Sequence, residues 1–179
     1  MDFGNVGQKI DDKELLLLKS MWKAGFGDDD AFIDYFFSRY DSESTRFLYR
    51  NVHREPVAQM HAFEFVDDFC KKKGCYIYGV TTLPESRGQG IAANLLKSAL
   101  LMLKEQGVEY AVLIAEEPSL QVWYESLGFK KFSQVIDVVG IDDDMNFGME
   151  DKTLNHGMYY FFNDVITQLT HKIKIKSIY

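Results

Sequence analysis

Thr82-Leu83-Pro84-Glu85-Ser86-Arg87-Gly88-Gln89-Gly90-Ile91-Ala92-Ala93-Asn94-Leu95-Leu96 decides the fold, because it carries the chain from a strand-like run into an amphipathic helix through a turn holding an arginine and two glycines. Upstream, Cys75-Tyr76-Ile77-Tyr78-Gly79-Val80-Thr81-Thr82-Leu83 is rich in β-branched and aromatic residues, and Pro84 removes a backbone donor and stops the strand. Downstream, Ile91, Leu95, Leu96, Ala99, Leu100 and Leu103 recur at helical spacing and predict a helix running to Gly107. The turn therefore lies on a helix N-terminus, where the first N–H groups lack intrahelical partners and the positive end of the helix dipole points outward. Gly88 and Gly90 let an anion approach the backbone closely, and Arg87 adds a fixed charge, so the segment reads as a phosphate cradle.

Two nucleotide-binding readings compete for these glycines. Gly88-Gln89-Gly90-Ile91-Ala92-Ala93 satisfies the dinucleotide fingerprint G-x-G-x-x-G/A. That fingerprint sits directly at the end of the first strand of a βαβ unit, with an acidic residue about 20 positions on. Here Pro84-Glu85-Ser86-Arg87 intervenes, and the first acid after the next strand, Glu116, falls late. A dinucleotide-binding protein is thus the remote alternative. No G-x-x-x-x-G-K-[ST] segment occurs, which excludes a P-loop.

The spacing Arg-x-x-Gly-x-Ala, met by Arg87, Gly90 and Ala92, resembles the acetyl-CoA pyrophosphate loop of the GCN5-related N-acetyltransferase (GNAT) superfamily, in its bacterial form. A second segment follows at the expected distance. It consists of a strand-like Tyr110-Ala111-Val112-Leu113-Ile114-Ala115, then Glu116-Glu117-Pro118, then Ser119-Leu120-Gln121-Val122-Trp123-Tyr124-Glu125-Ser126-Leu127-Gly128-Phe129. This is similar to the superfamily's second motif, a short helix that carries a tyrosine and ends in Gly-Phe. The resemblance runs from about Leu15 to Phe132 and is strongest from Tyr76 to Phe129. It implies an α/β (α+β) fold: one domain over residues 1–179, with a central mixed, mostly antiparallel twisted sheet, a splayed strand pair and helices on both faces. The motif core spans about residues 57–132, and the 133–179 segment has no assigned role.

What the resemblance implies chemically is an acyl-CoA-dependent N-acetyltransferase. Acetyl-CoA is the cosubstrate and no metal is required. Backbone N–H groups of Arg87, Gly88, Gln89, Gly90, Ile91 and Ala92 would hold the pyrophosphate, and Val80 and Thr82 would pair their backbones with the pantetheine arm. A neutral amine attacks the thioester directly, with Tyr124 as general acid toward the departing thiolate. Glu64, Glu116 and Glu117 are candidate bases. An asparagine common in the family seven residues before the tyrosine is Glu117 here, a departure near the thiol. The acceptor is a small-molecule or peptide amine of open identity, acyl groups longer than acetyl stay open, and so does a homodimer. A GNAT-fold module that binds acyl-CoA as a sensor, without turnover, is the alternative from another class.

Composition agrees with a folded enzyme. The 179 residues are 46% hydrophobic and 15% aromatic, which excludes a disordered chain. A formal charge of −7 argues against nucleic acid and mildly favours a cationic substrate. No apolar run approaches the roughly 20 residues of a membrane span, so no membrane association is expected and the default location is cytoplasmic. Cys70 and Cys75 fit no common zinc spacing and read as reduced structural thiols.

Toward the N-terminus, a helix over Lys13–Ala24 stopped by Gly25 is expected, then a second helix capped by Asp28-Asp29-Asp30 that carries Phe32, Tyr35, Phe36, Phe37 and Tyr40 on one face. Trp22, Phe26 and this aromatic helix also resemble the opening of many bacterial superfamily members, where the first helices form one wall of the acceptor cleft. Strands are expected over Arg46–Arg50 and Val57–Val66, the latter with Glu64 and His61 on opposite faces and joined by a hairpin to the strand before the cradle. His61 reads as a packed or hydrogen-bonded histidine, and Lys71-Lys72-Lys73 as a solvated loop. Asp142-Asp143-Asp144-Met145-Asn146 fails the EF-hand pattern and reads as a polar loop, while Met158–Phe162 and Lys172–Lys176 read as strands.

Overall fold

The computed structural model describes residues 10–67, 69–131, 136–139, 157–162 and 173–176. Helices α1 (Asp12–Phe26) and α2 (Asp30–Arg39) precede strands β1 (Thr45–Arg50), β2 (Pro56–Val66) and β3 (Lys73–Thr82). Helix α3 (Ile91–Glu105), strand β4 (Tyr110–Ile114), helix α4 (Pro118–Ser126) and strands β5 (Lys130–Lys131), β6 (Ile136–Val139), β7 (Gly157–Phe161) and β8 (Ile173–Lys176) follow. Six strands form one mixed sheet in the order β1-β2-β3-β4-β7-β5, accompanied by the four helices, and β6 pairs β8 in a separate parallel ribbon. The chain divides into two compact units, residues 1–63 with 77–102, and residues 64–76 with 103–179, so β2, β3 and α3 contribute to both.

In the first unit, α1 begins at Asp11, whose side chain accepts from Glu14 N at 2.7 Å, and ends at Gly27 in the left-handed region with its N–H on Lys23 O. The expected stop at Gly25 is therefore two residues early. Gly25 lies inside the helix for a different reason: a Cβ there would stand 2.6 Å from Thr81 Cγ2, so the helix can approach β3 only without a side chain at this position. The three aspartates also divide their work. Asp29 alone caps α2, accepting from Phe32 N at 2.7 Å. Asp28 accepts from Trp22 Nε1 at 2.7 Å, and Asp30 pairs with Lys23. Leu18, Met21 and Trp22 of α1 and Ile33 of α2 are buried; of the aromatic face expected on the second helix, Phe36, Phe37 and Tyr40 are buried while Phe32 and Tyr35 are half-buried.

Strand β2 is buried on both faces, so its polar residues must find partners inside. Gln59 Nε2 donates to Leu18 O at 2.7 Å, and His61 Nδ1 lies 2.8 Å from Ser44 Oγ. β1 pairs antiparallel with β2 from Thr45–Ala62 to Arg50–Pro56. The expected β2–β3 hairpin is present. Asp67 N donates to Lys72 O near its tip and Leu83 N to Val57 O at its open end.

In the second unit, β3 and β4 pair in parallel through Gly74–Tyr110, Cys75–Ala111 and Tyr76–Val112, while β4 pairs antiparallel with β7 along its full length. The C-terminal segment thus supplies a strand that enters the sheet between β4 and β5. Tyr110 is fully buried and donates its hydroxyl to Asp67 Oδ2 at 2.7 Å, while Asp67 Oδ1 accepts from Phe69 N and Cys70 N across the hairpin tip. The lysine run is not simply solvated. Lys72 pairs with Glu109, and Lys73, already in β3, pairs with Glu64. Cys75 is buried and free. No helix among the described residues is long and apolar enough to cross a membrane. The run Asp142–Asn146 lies outside the described residues.

Candidate functional site

The turn between β3 and α3 is built as the sequence predicts. Pro84 ends β3 and opens a short 3-10 turn over Pro84–Ser86, and Arg87 continues in extended conformation. Gly88 and Gly90 have φ of +75° and +74°, conformations that residues with a Cβ reach only at a cost. A Cβ at either position would meet nothing within 4 Å, so the space the glycines leave is open. The hydrogen-bond ladder of α3 begins with Asn94 N donating to Gly90 O at 3.0 Å. Among the described residues, the N–H groups of Gly88, Gln89, Gly90, Ile91 and Ala92 donate to no backbone carbonyl. They form a row of donors at the positive end of a 15-residue helix, which suits an anion such as a pyrophosphate.

Arg87 is placed differently from the expectation of a charge aimed at that anion. Its Nε donates to Thr82 O and its Nη2 to Ala24 O, each at 3.1 Å. The Gln89 side chain folds back to Glu85 O. Val80 is half-buried and Thr82 is buried, with the Thr81 and Thr82 hydroxyls lacking partners among the described residues. A feature that the sequence reading passed over lies between Tyr78 and Val80. Gly79 has φ +64° inside β3, a left-handed conformation within an otherwise extended strand, and a Cβ there would strike the Trp22 ring at 2.7 Å. An isolated glycine in a strand-like run is the signal that could have revealed it.

The remaining candidates all belong to the second unit. Tyr124 lies on α4, buried to 7% exposure, with its ring against Phe129 and Trp123 at centroid distances of 5.5 and 4.7 Å. Its carbonyl accepts from Leu127 N and Phe129 N, which closes the helix and sets the Gly-Phe turn, with Gly128 at φ +96°. Burial pushes the Tyr124 phenol well above its ordinary range, so it stays protonated. Glu116 and Glu117 are exposed just after β4, and Glu117 precedes α4 without capping it through its side chain. Glu64 is elsewhere. Its carboxylate pairs with Lys73, whose neighbour Gly74 registers with Tyr110 at the start of β4, whereas Glu116 and Glu117 follow the other end. The four rises of β4 alone separate those ends by about 13 Å. No group of three or more His, Cys, Asp or Glu side chains able to hold a metal occurs among the described residues.

Residues 61–145 match the family model for the acetyltransferase (GNAT) domain. No curated protein sequence matches significantly. Among solved structures, the chain is similar to the GNAT family N-acetyltransferase YhbS of Escherichia coli in complex with CoA, at 15% identity over 93% of this chain and 86% of that one, with a TM-score of 0.65. It is similar to Tetrahymena GCN5 at 11% identity over 93% and 99% of the two chains, TM-score 0.64. A probable N-acyltransferase of Enterococcus faecalis V583 matches at 18% identity over 73% of this chain, TM-score 0.59, and this chain spans 36% of that protein. At these identities the structures speak to the fold alone. Residues 61–145 thus match an acetyltransferase (GNAT) domain, and the fold of the chain is that of the GNAT structures it resembles.

Proposed function

We propose that the protein transfers an acetyl group from acetyl-CoA to a primary amine by direct attack within a ternary complex. One observation carries the reading: among the described residues, a row of N–H groups at the head of α3 that donate to no backbone carbonyl, opened by Gly88 and Gly90, beside which a Cβ would meet nothing within 4 Å. Val80 and Thr82 would align the pantetheine arm along β3, and a β3 N–H would stabilise the oxyanion. The amine nitrogen forms the new C–N bond as the C–S bond breaks. The leaving thiolate takes a proton from Tyr124, and the proton shed by the amine passes to an exposed carboxylate, Glu116 or Glu117, or to water. Glu64 is the weaker base because Lys73 already holds its carboxylate.

Isothermal titration of the protein with acetyl-CoA, beside NAD and NADP, tests the reading. Acetyl-CoA should bind, and Gly90→Val, which puts a branched side chain at φ +74° in the open space, should weaken that binding by about 100-fold or more, the loss expected when close backbone contact with a charged ligand is blocked. Preference for a dinucleotide, or binding unaffected by Gly90→Val, would overturn the reading. Tight CoA binding without turnover on any amine would assign the sensor role instead.

A further inference from the structure

We infer that Arg87 is a positioning residue that fastens the last turn of α1 to the cradle, so that occupancy of the cradle is transmitted to the end of α1. The inference rests on the acyl-CoA reading of the cradle. Its starting point is where the guanidinium spends its donors. Nε reaches Thr82 O, the last residue of β3, and Nη2 reaches Ala24 O, 63 positions away in the final turn of α1. The last carbonyls of a helix have no intrahelical partner and carry the negative end of its dipole, so a cation there is favourable twice over. Lys23, the basic residue of that turn, is turned aside onto Asp30, which leaves Arg87 as the cation on Ala24 O among the described residues.

Two further observations show that this junction is built. Gly25, next to Ala24, lacks the Cβ that would collide with Thr81 Cγ2, so the helix rests directly on the end of β3. Trp22, one turn earlier, lies against Gly79 in the same way. Helix, strand end and guanidinium therefore meet at one place, and Arg87 belongs at once to that place and to the loop whose next five residues present their N–H groups. A pyrophosphate that orders the loop through those N–H groups fixes the Arg87 backbone, and the guanidinium carries the constraint to Ala24, Gly25 and Phe26. Phe26 is 49% exposed and packs its ring against Trp22 at 5.2 Å, so what α1 presents to solvent at this end depends on the strap. By reciprocity, anything that orders the end of α1 favours CoA binding by the same factor.

The test combines titration with hydrogen exchange at the Gly25, Phe26 and Gly27 amides, in the intact protein, with and without saturating CoA. In the wild type CoA should slow exchange at these amides. In Arg87→Ala they should exchange about 10-fold faster without ligand and no longer respond to CoA, while CoA affinity falls less than about 10-fold, the scale of one or two exposed charge-assisted hydrogen bonds. Arg87→Lys keeps the charge but loses the two-pronged edge, and should not restore protection. Unchanged exchange at residues 25–27 in Arg87→Ala would overturn the inference. So would a loss of affinity above about 100-fold that Arg87→Lys rescues, since that assigns the charge to the phosphate. Amides of β1 serve as the control, because a variant that merely loosens the whole fold speeds them as well. Failure of the wild type to bind CoA would sink the acyl-CoA reading and the coupling with it, whereas the strap itself would still show as faster exchange in ligand-free Arg87→Ala.

Discussion

Gly25 and Thr81 approach so closely that a single added methyl has nowhere to go: a Cβ on the glycine would stand 2.6 Å from Thr81 Cγ2. Glycine inside a helix is ordinarily a weakness, and Gly→Ala there stabilises by about 1 kcal/mol. Here the sign should reverse. Thr81 is buried and β-branched, so it cannot swing away freely, and Gly25→Ala should cost about 1–2 kcal/mol as an overpacking change. Urea unfolding midpoints decide the matter, and a stabilised Gly25→Ala would mean that α1 does not rest on β3.

Tyr124 should separate turnover from binding. Removing its hydroxyl while keeping its ring leaves the packing on Phe129 and Trp123 intact, so Tyr124→Phe should retain stability and CoA affinity. If the phenol donates the proton to the thiolate, kcat should fall about 100-fold. Because burial raises the phenol above its ordinary range, the wild type should show no loss of activity from Tyr124 ionisation anywhere below that range. A kcat equal to the wild type at every pH would remove the role.

His61 should make stability fall in acid. It is fully buried; that burial, with a smaller contribution from the Arg46 charge, lowers its pKa from 6.5 to about 3. Ser44 donates its hydroxyl to Asp41 O at 3.2 Å, which assigns the proton of the Ser44–His61 contact to Nδ1 and leaves Nε2 a bare, unpaired acceptor among the described residues. The folded state therefore binds fewer protons than the unfolded chain. The stability this group contributes is complete above about pH 6.5 and is lost as pH falls toward about 3, at about 1.4 kcal/mol per pH unit. Asp41, 3.8 Å away, is shifted upward by burial and acts in the opposite sense, so the useful quantity is the difference between the wild type and His61→Gln. Urea midpoints measured from pH 7 to 4 should fall less steeply in His61→Gln; parallel curves would show that His61 does not titrate on unfolding.

Local turn chemistry explains what the sequence made legible. Pro84, Gly88, Gly90 and the apolar spacing from Ile91 determine their own backbone, and the Leu127-Gly128-Phe129 turn after Tyr124 does the same, so the matched GNAT domain and its two motifs could be read without a structure. What escaped depends on partners distant in sequence. Nothing near Gly25 announces Thr81, and a glycine after an apolar helix face looks like a stop until the left-handed residue is found at Gly27. Nothing near Arg87 announces Ala24. Alternation sets Glu64 only on the strand face opposite His61, and the ion pair with Lys73 is what shows that its carboxylate is occupied. The Asp28-Asp29-Asp30 run looked like one cap and is three separate contacts.

The insertion of β7 between β4 and β5 sets a schedule for the ribosome. Gly157 lies 43 positions after Ile114, so during synthesis one edge of β4 has no partner until that much more chain has been made. At about 5–20 residues per second the wait is roughly 2–9 s. Throughout it, a strand reading Tyr-Ala-Val-Leu-Ile, apolar and without a charge, has an open hydrogen-bonding edge, the condition under which nascent chains recruit chaperones or pair with one another.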